Sequence, residues 1–261
     1  MITQLSAVLA NAPAADGKLT TQVPSDWMQG RSVYGGLQTA LALRAMRSLV
    51  PTMPVRSLQT NFIAPLSELV RAECTILRQG KNTIQTEAKL FGDDGLTTQV
   101  LGAFGNSRPS KVAVQMTPTP LQESSGTVFP FLPGLTPNFT QHFSICLREG
   151  ALPFSGTETL DAIYELDLHD TGAVSEEHIV AFADVVPPLG LSLLTTPTFG
   201  STLTWMLEFL ALPEQQVELA GWHLQTKLIS AEGGYSNQSS VLRSPTGQAI
   251  ALSRQCMLVF G

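Results

Sequence analysis

The chain carries little charge. Asp, Glu, Lys and Arg together make up 14% of its 261 residues, whereas an average soluble domain has about 25%. The net charge is −6 and the basic residues form no block, so the positive surface that holds a phosphate backbone is missing and no nucleic-acid partner is expected. Apolar residues reach 43%. We therefore expect unusually extensive burial, either within the chain or between the subunits of a homo-oligomer.

Long hydrophobic runs and paired cysteines are also missing. No apolar run approaches the roughly 18 residues that suggest a transmembrane helix, and the mildly apolar start lacks the basic residues of a secretory signal. The three cysteines, Cys74, Cys146 and Cys256, are odd in number and far apart. This pattern favours reduced thiols in the cytoplasm and predicts no disulfide framework, no metal site and no membrane span.

Several common catalytic motifs are absent. The sequence has no G-x-S-x-G nucleophile elbow, no H-E-x-x-H and no phosphate-binding loop. The four histidines are scattered, so no local pattern supports a Ser-His-Asp arrangement. They are His142, His169, His178 and His223.

The sequence does contain a weak internal repeat, because residues 253–261 echo residues 97–105. A fused pair of copies, each of roughly 110 to 130 residues, fits the length of the chain. Such a pair forms its own pseudo-dimer, in which one copy can keep a catalytic set while the other diverges. The matched positions are Gln99 with Gln255, Phe104 with Phe260, Gly105 with Gly261, Gly95 with Gly247, and the segments 79–85 with 232–238.

Both copies show a helix followed by antiparallel strands. The first helix follows the Gly35-Gly36 pair and is closed by Pro51; the second begins at the acidic turn after Ser175, runs through 178–186 and stops at Pro187-Pro188. Residues 106–138 are rich in proline. We predict an N-terminal unit at 1–107, a linker at 108–138 and a C-terminal unit at 139–261. The predicted strands are 55–63, 69–78, 83–91, 97–104, 139–147, 162–168, 201–210, 218–230, 238–243 and 249–259.

The last strand is apolar on both of its faces, which is typical of a strand covered on both sides. Gln255 lies within it. An unpaired amide in such surroundings would cost about 1 to 3 kcal/mol, so we expect Gln255 to have hydrogen-bond partners. A glutamine that ties strands together is the common structural alternative to a catalytic one.

Three segments resemble the acyl-CoA thioesterase II family. Residues 31–41, Arg-Ser-Val-Tyr-Gly-Gly-Leu-Gln-Thr-Ala-Leu, are similar to the entry to the family's first helix. Residues 57–65, ending Phe-Ile-Ala-Pro, are similar to its second strand, and residues 79–82 to a following turn. The resemblance spans nearly the whole chain. It implies an α+β double hotdog fold, in which two copies of an antiparallel sheet each wrap around a central helix.

The resemblance also implies a catalytic set. The family holds a water with an Asp on the second helix, a Thr on the following strand and a Gln on the last strand. These roles fall on Asp184, Thr202 and Gln255, with Ser201 and Thr204 as alternatives to Thr202 if the register differs. The implied activity is hydrolysis of a fatty acyl-CoA to the free acid and CoA, with acyl-CoA as the partner and no cofactor.

The residues themselves offer a partial case for the same site. If Asp184 lies on a helix, it shares a face with Val180, Ala181 and Pro188, and desolvation there would make its carboxylate a better base. It would otherwise be a solvated residue or bond the backbone near the prolines. A strand threonine such as Thr202 is most often chosen for its β-branching.

The Gly35-Gly36 pair is the candidate substrate-binding element. Backbone N–H groups at a helix N-terminus can stabilise the charge that develops on a carbonyl oxygen, and glycines allow close approach. Tight packing of the helix on the sheet is the alternative explanation for both glycines.

Two other functions remain open from the sequence. One is a non-catalytic binder of acyl-CoA or another acyl ligand. The other is a hotdog hydratase or dehydratase, which uses an Asp-His pair, although no histidine lies one turn beyond Asp184. A carboxylate on an apolar helix face favours the hydrolase.

Overall fold

The computed structural model describes residues 2–121, 125–211 and 217–260. Within these ranges the helices are α1 Leu5–Ala10, α2 Gly35–Leu49 and α3 Glu176–Ala183. Gly261 of the repeat and residues 122–124 of the predicted linker lie outside the described residues. The strands are β1 Lys18–Gln22, β2 Met28–Gln29, β3 Ser32–Val33, β4 Val55–Phe62, β5 Leu69–Gln79, β6 Thr83–Gly92, β7 Gly95–Gly105, β8 Thr127–Phe129, β9 Phe143–Glu149, β10 Asp161–Leu168, β11 Gly200–Phe209, β12 Trp222–Glu232, β13 Tyr235–Arg243 and β14 Ala249–Val259.

Twelve of these strands form one antiparallel sheet in the order β1-β5-β6-β7-β4-β11-β14-β13-β12-β10-β9-β8, and β2 pairs with β3 separately. The two halves meet where β4 pairs with β11, with Leu58 opposite Leu207. Reading outward from this junction, β4-β7-β6-β5-β1 is matched by β11-β14-β13-β12-β10. Each half therefore uses the same order of one strand, one helix and four strands, which confirms the duplication.

Helix α2 lies against the sheet of the first half and against α3. Ten of its fifteen residues are buried, and Leu37, Leu41 and Ala45 are each 0% exposed. A helix buried on most of its surface needs cover on several sides, and the sheet and α3 provide that cover. The helix ends at Leu49, two residues before the predicted stop at Pro51.

Helix α3 is shorter than predicted. Its N-terminus is closed by a capping box, in which the Ser175 side chain accepts from His178 N–H while His178 Nδ1 accepts from Ser175 N–H. The helix ends at Ala183 and not near residue 186, because Pro187 and Pro188 lack the backbone N–H groups that would bond the carbonyls of residues 183 and 184. Asp184 is consequently the C-cap residue, with φ −116° and ψ 2°, and not a residue on a helix face.

On two strands the match of repeat positions pairs residues that lie on opposite faces of the sheet. Gln255 is 4% exposed and faces the helices, whereas Gln99 lies between buried Thr98 and Val100 and faces the other side of the sheet, where it donates to Glu87 at 2.5 Å. Likewise Gln238 is 2% exposed while Gln85 is exposed. Side chains alternate along a strand, so a slip of one residue reverses the face.

The remaining expectations hold in part. Most predicted strands lie within three residues of the observed ends, but α1 and β1 were not predicted, and residues 138–142 form a 3-10 turn before β9. Strand β14 is covered on the face toward the helices only, since Arg254 on the opposite face is exposed and Leu252 and Leu258 are partly exposed. Among the described residues, no helix has the length and apolar character that crossing a membrane requires.

Candidate active site

Asp184 lies where the two halves of the molecule meet. It follows directly after α3, and its carboxyl contacts the N-terminus of α2: a Cβ added to Gly35 would lie 2.7 Å from Asp184 Oδ2. The backbone N–H of Gly36 donates to the same carboxyl. The first N–H groups of a helix have no partner within it and carry partial positive charge, so the α2 N-terminus stabilises a carboxylate here.

The surroundings of Asp184 favour its neutral form. Burial raises the pKa of the carboxyl from 3.8 to about 7, because removal from water penalises the charge. The hydrogen bonds from Gln255 and from Gly36 N–H oppose that shift and lower the pKa in part. A carboxyl with a pKa near 7 exists as both acid and base at neutral pH, which suits it to proton transfer.

Gln255 meets Asp184 as the resemblance implies. The side-chain Nε2 of Gln255 donates to Asp184 Oδ1 at 2.6 Å, across 71 residues of sequence. Its Oε1 accepts from Gln238 Nε2 at 3.0 Å. The expectation that this buried amide has partners is therefore confirmed, and one of those partners is the candidate base.

A bulge in β11 determines which face carries Thr202. The register of β11 on β14 shifts between Thr202 and Thr204, so that Thr202 lies opposite Met257 and Trp205 opposite Gln255. Met257 and Gln255 both face the helices, since they are 2% and 4% exposed, and Thr202 therefore shares the face of Gln255. The alternatives Ser201 and Thr204 are exposed, whereas Thr202 is partly buried.

The hydroxyl of Thr202 is not used by the protein itself. Within the described residues this hydroxyl makes no hydrogen bond, and so it is not bonded to Asp184. Its strand passes the segment that follows Asp184, because a Cβ added to Gly200 would lie 3.0 Å from Pro188. Thr202 thus shares the inner face of the sheet with Gln255, and its hydroxyl has a donor and an acceptor that no described residue uses.

Tyr34 fixes α3 against the entry of α2. Its hydroxyl donates to the backbone oxygen of Ala181 at 2.6 Å, and the residue is 0% exposed. Burial raises the pKa of Tyr34 well above its usual value, and the nearby Asp184 adds to the shift, so the phenol stays protonated and donates. A Cβ on Gly36 would lie 2.6 Å from the Tyr34 ring. This close packing supports the alternative explanation for that glycine.

Gln238 was not among the predicted site residues. Its Oε1 accepts from Leu189 N–H at 2.9 Å and its Nε2 reaches Gln255. One signal was present: Ser236, Gln238, Ser240 and Leu242 alternate along β13, and all four are buried. A period of two with small polar residues at the buried positions indicates a polar stripe on the inner face of that strand.

No histidine is bonded to Asp184. His142 Nε2 bonds Asp26 O, His178 bonds Ser175 and Asp170, and His223 bonds Thr119 O. His169 bonds Gln141 O and Ser144. In the part of the chain that the structure describes, no group of His, Cys, Asp and Glu side chains could hold a metal ion.

Comparisons with known proteins identify the family to which the chain belongs. A family profile described as "Acyl-CoA thioesterase N-terminal domain" matches residues 23–105, and one described as "Acyl-CoA thioesterase C-terminal domain" matches residues 114–259. A search of curated proteins finds no match.

Solved structures share the fold at low sequence identity. A protein of unknown function with a hot dog fold from Alicyclobacillus acidocaldarius has a TM-score of 0.82 at 18% identity, covering 94% of this chain and 93% of its own. A tesB protein from Mycobacterium avium subsp. paratuberculosis has a TM-score of 0.75 at 14% identity, with 99% and 100% covered. The acyl-CoA thioesterase II TesB2 from Mycobacterium marinum has a TM-score of 0.67 at 15% identity, with 94% and 92% covered. With both halves matched by consecutive profiles, the chain belongs to the acyl-CoA thioesterase family of thioester hydrolases, and its fold is the double hotdog.

Proposed function

We propose that the protein hydrolyses fatty acyl-CoA thioesters to the free acid and CoA, with Asp184 as general base and with Thr202 and Gln255 orienting the attacking water. The observation that carries this assignment is the Asp184 carboxyl, whose pKa is raised to about 7 while it accepts from Gln255 and Gly36. A group with this pKa is a useful proton acceptor at neutral pH.

The reaction proceeds by direct attack of water. Asp184 in its ionised form takes a proton from the water as the water oxygen bonds to the thioester carbonyl carbon. The tetrahedral intermediate then expels the CoA sulfur, which takes the proton from Asp184, and the free acid leaves. Holding water and carbonyl in the reactive geometry supplies much of the rate enhancement.

The N-terminus of α2 is the proposed site for the carbonyl oxygen. Negative charge develops on that oxygen in the intermediate and needs donors in place beforehand. Gly36 N–H already serves the Asp184 carboxyl. We therefore assign the oxygen to the neighbouring N–H groups of the first turn, with Gly35 allowing close approach.

A binding protein for neutral acyl chains would gain nothing from this carboxyl. Burial penalises its ionised form, and the penalty brings no benefit unless the charge takes part in chemistry. A hydratase or dehydratase would need a histidine beside the aspartate, and the four histidines bond elsewhere. We also propose that the enzyme acts in the cytoplasm, without a cofactor, and as a homo-oligomer.

Release of free thiol from a panel of acyl-CoAs of increasing chain length tests the reaction and the substrate together. The wild type should hydrolyse part of the panel, and its kcat should rise with pH through about 7 as Asp184 ionises. Asp184→Asn removes the base and should lower kcat by at least about 100-fold.

Glu176→Gln is the matched control for this experiment. Glu176 is the other carboxylate at the α2–α3 contact, where it pairs with Arg47 away from Gln255, so its replacement should leave kcat unchanged. A wild type that binds acyl-CoA but hydrolyses no member of the panel would contradict the proposal, as would full activity of Asp184→Asn.

A further inference from the structure

A chain of three hydrogen bonds starts and ends on the segment around Asp184. Leu189 N–H donates to Gln238 Oε1 at 2.9 Å, Gln238 Nε2 donates to Gln255 Oε1 at 3.0 Å, and Gln255 Nε2 donates to Asp184 Oδ1 at 2.6 Å. The two glutamines lie directly opposite each other on neighbouring strands. Asp184 and Leu189 are five residues apart in sequence, so the chain segment between them joins the two ends of the hydrogen-bond path into a ring.

Each carboxamide in this ring has two orientations of nearly equal shape and opposite polarity. One end accepts hydrogen bonds and the other donates them. Gln255 alone could turn its oxygen toward Asp184 whenever that carboxyl is protonated, since the acid then has a proton to donate. The orientation of the Gln255 amide must therefore be set by something other than Asp184.

The backbone N–H of Leu189 sets the orientation of the Gln255 amide. Leu189 N–H only donates, so the oxygen of Gln238 must face it and the Gln238 nitrogen must face Gln255. That nitrogen also only donates, so the Gln255 oxygen must face Gln238, which leaves the Gln255 nitrogen toward Asp184. Both glutamines are nearly buried, at 2% and 4% exposed, and reversing either amide would leave buried groups unpaired, at a cost of about 1 to 3 kcal/mol each.

We propose that Gln238 is a positioning residue that acts through Gln255. By holding the Gln255 oxygen, it keeps the Gln255 N–H directed at the Asp184 carboxyl in both protonation states of that carboxyl. The kinetic part of this inference rests on the proposed hydrolase function. The orientation of the amide does not, so the two can fail separately.

The orientation is tested by NMR without any substrate. The side-chain amide signal of Gln255 in a ¹⁵N-labelled sample is assigned by its loss in Gln255→Met. In the wild type, one of its protons should shift as the pH passes through about 7, because the hydrogen-bonded carboxyl ionises there. Asp184→Asn should abolish that shift. In Gln238→Met the shift should disappear or move to higher pH.

Two further variants distinguish a change in the orientation of the Gln255 amide from a general loss of structure. Gln238→Glu keeps the length and still accepts from Leu189 N–H, but when ionised it cannot donate to Gln255, so the amide signal should change as in Gln238→Met. Gln85→Met makes the same substitution at an exposed glutamine on β6, in the other half of the sheet, and should leave the signal unchanged. An unaltered Gln255 titration in folded Gln238→Met or in Gln238→Glu would overturn the proposal.

Kinetics then separates positioning from a general structural effect. Gln238→Met should lower kcat roughly tenfold or more through misplaced groups, with the rise of kcat displaced to higher pH and Gln85→Met unaffected. In a Gln255→Met background, Gln238→Met should cause no further loss, since residues that act through one another are not additive.

Additive losses would show that Gln238 acts independently of Gln255 and would overturn the proposal. A wild type without hydrolase activity that nevertheless shows the Gln255 titration, and loses it in Gln238→Met, would refute the proposed function while supporting the positioning role.

Discussion

At the scale of single residues, Asp184 shows the conflict between stability and chemistry. Its pKa in the folded protein is about 7, above the ordinary 3.8. The neutral carboxyl is therefore the form that the fold favours. Its contribution to stability is complete below about pH 4, decreases as the pH rises, and is lost above about pH 7.

This behaviour predicts that Asp184→Asn becomes relatively more stable as the pH rises. An Asn side chain does not ionise, so the unfolding free energy of the variant minus that of the wild type should increase between pH 4 and pH 8 by about 4 kcal/mol. Urea unfolding at the two pH values measures this difference, and titrations common to both proteins cancel. A difference that does not change with pH would show that Asp184 has an ordinary pKa in the folded protein.

The sequence allowed some of these residues to be predicted and not others. That Gln255 has hydrogen-bond partners could be predicted because an amide within an apolar strand needs them, whereas the choice of Asp184 and Gln255 as site residues came from the family resemblance. Gln238 could not, since its function depends on lying opposite Gln255 on a neighbouring strand. The sequence match of Gln238 with Gln85 was also misleading, because Gln85 is exposed and Gln238 is buried.

At the scale of elements, irregular geometry places the side chains of the site. The bulge in β11 brings Thr202 to the inner face, and the early end of α3 makes Asp184 a C-cap residue. Sequence periodicity indicates regular helices and strands, but a bulge adds one residue without changing the composition. The strands could therefore be predicted, while the face that carries Thr202 could not be derived from periodicity alone.

The first turn of α2 gives a prediction at this scale. A Cβ on Gly35 would lie 2.7 Å from Asp184 Oδ2 and 3.1 Å from the Phe62 ring. Gly35→Ala should therefore displace the carboxyl and lower kcat about tenfold or more, as measured in the thiol-release assay.

Gly102→Ala is its matched control. That Cβ would lie 2.6 Å from Met46 Sδ and 2.8 Å from Thr86 Oγ1, which is equally crowded but involves neither Asp184 nor Gln255. This variant should lose stability through overpacking, typically by about 1 to 3 kcal/mol, and retain kcat. Equal kcat values for the two variants would argue against a specific role for Gly35.

At the scale of the whole molecule, the two halves are joined by more than the shared sheet. Arg47 near the end of α2 forms a two-pronged ion pair with Glu176 at the start of α3, at 2.8 Å and 2.5 Å. Their side chains are 19% and 15% exposed, so the pair is mostly shielded from solvent. Arg47 also donates to the backbone oxygens of Val50 and Met53.

Breaking this pair should weaken the whole molecule. Glu176→Gln leaves the Arg47 charge without its partner, which should cost about 1 to 3 kcal/mol. Because the continuous sheet links the halves, we expect a single unfolding transition that moves to lower denaturant concentration, observed by circular dichroism. Two separate transitions would show that the halves unfold independently.

The position of Asp184 against the α2 N-terminus has one more consequence. The carboxyl comes from the second copy, while Gly35 and Gly36 come from the first. In a dimer of separate single-copy chains, such a shared site would be lost when the dimer dissociated at low protein concentration. Both protomers would also have to carry every catalytic group. Fusion into one polypeptide makes the encounter intramolecular. Assembly of the proposed site therefore does not depend on the protein concentration, and each copy is free to specialise, one supplying the helix N-terminus and the other the proposed base.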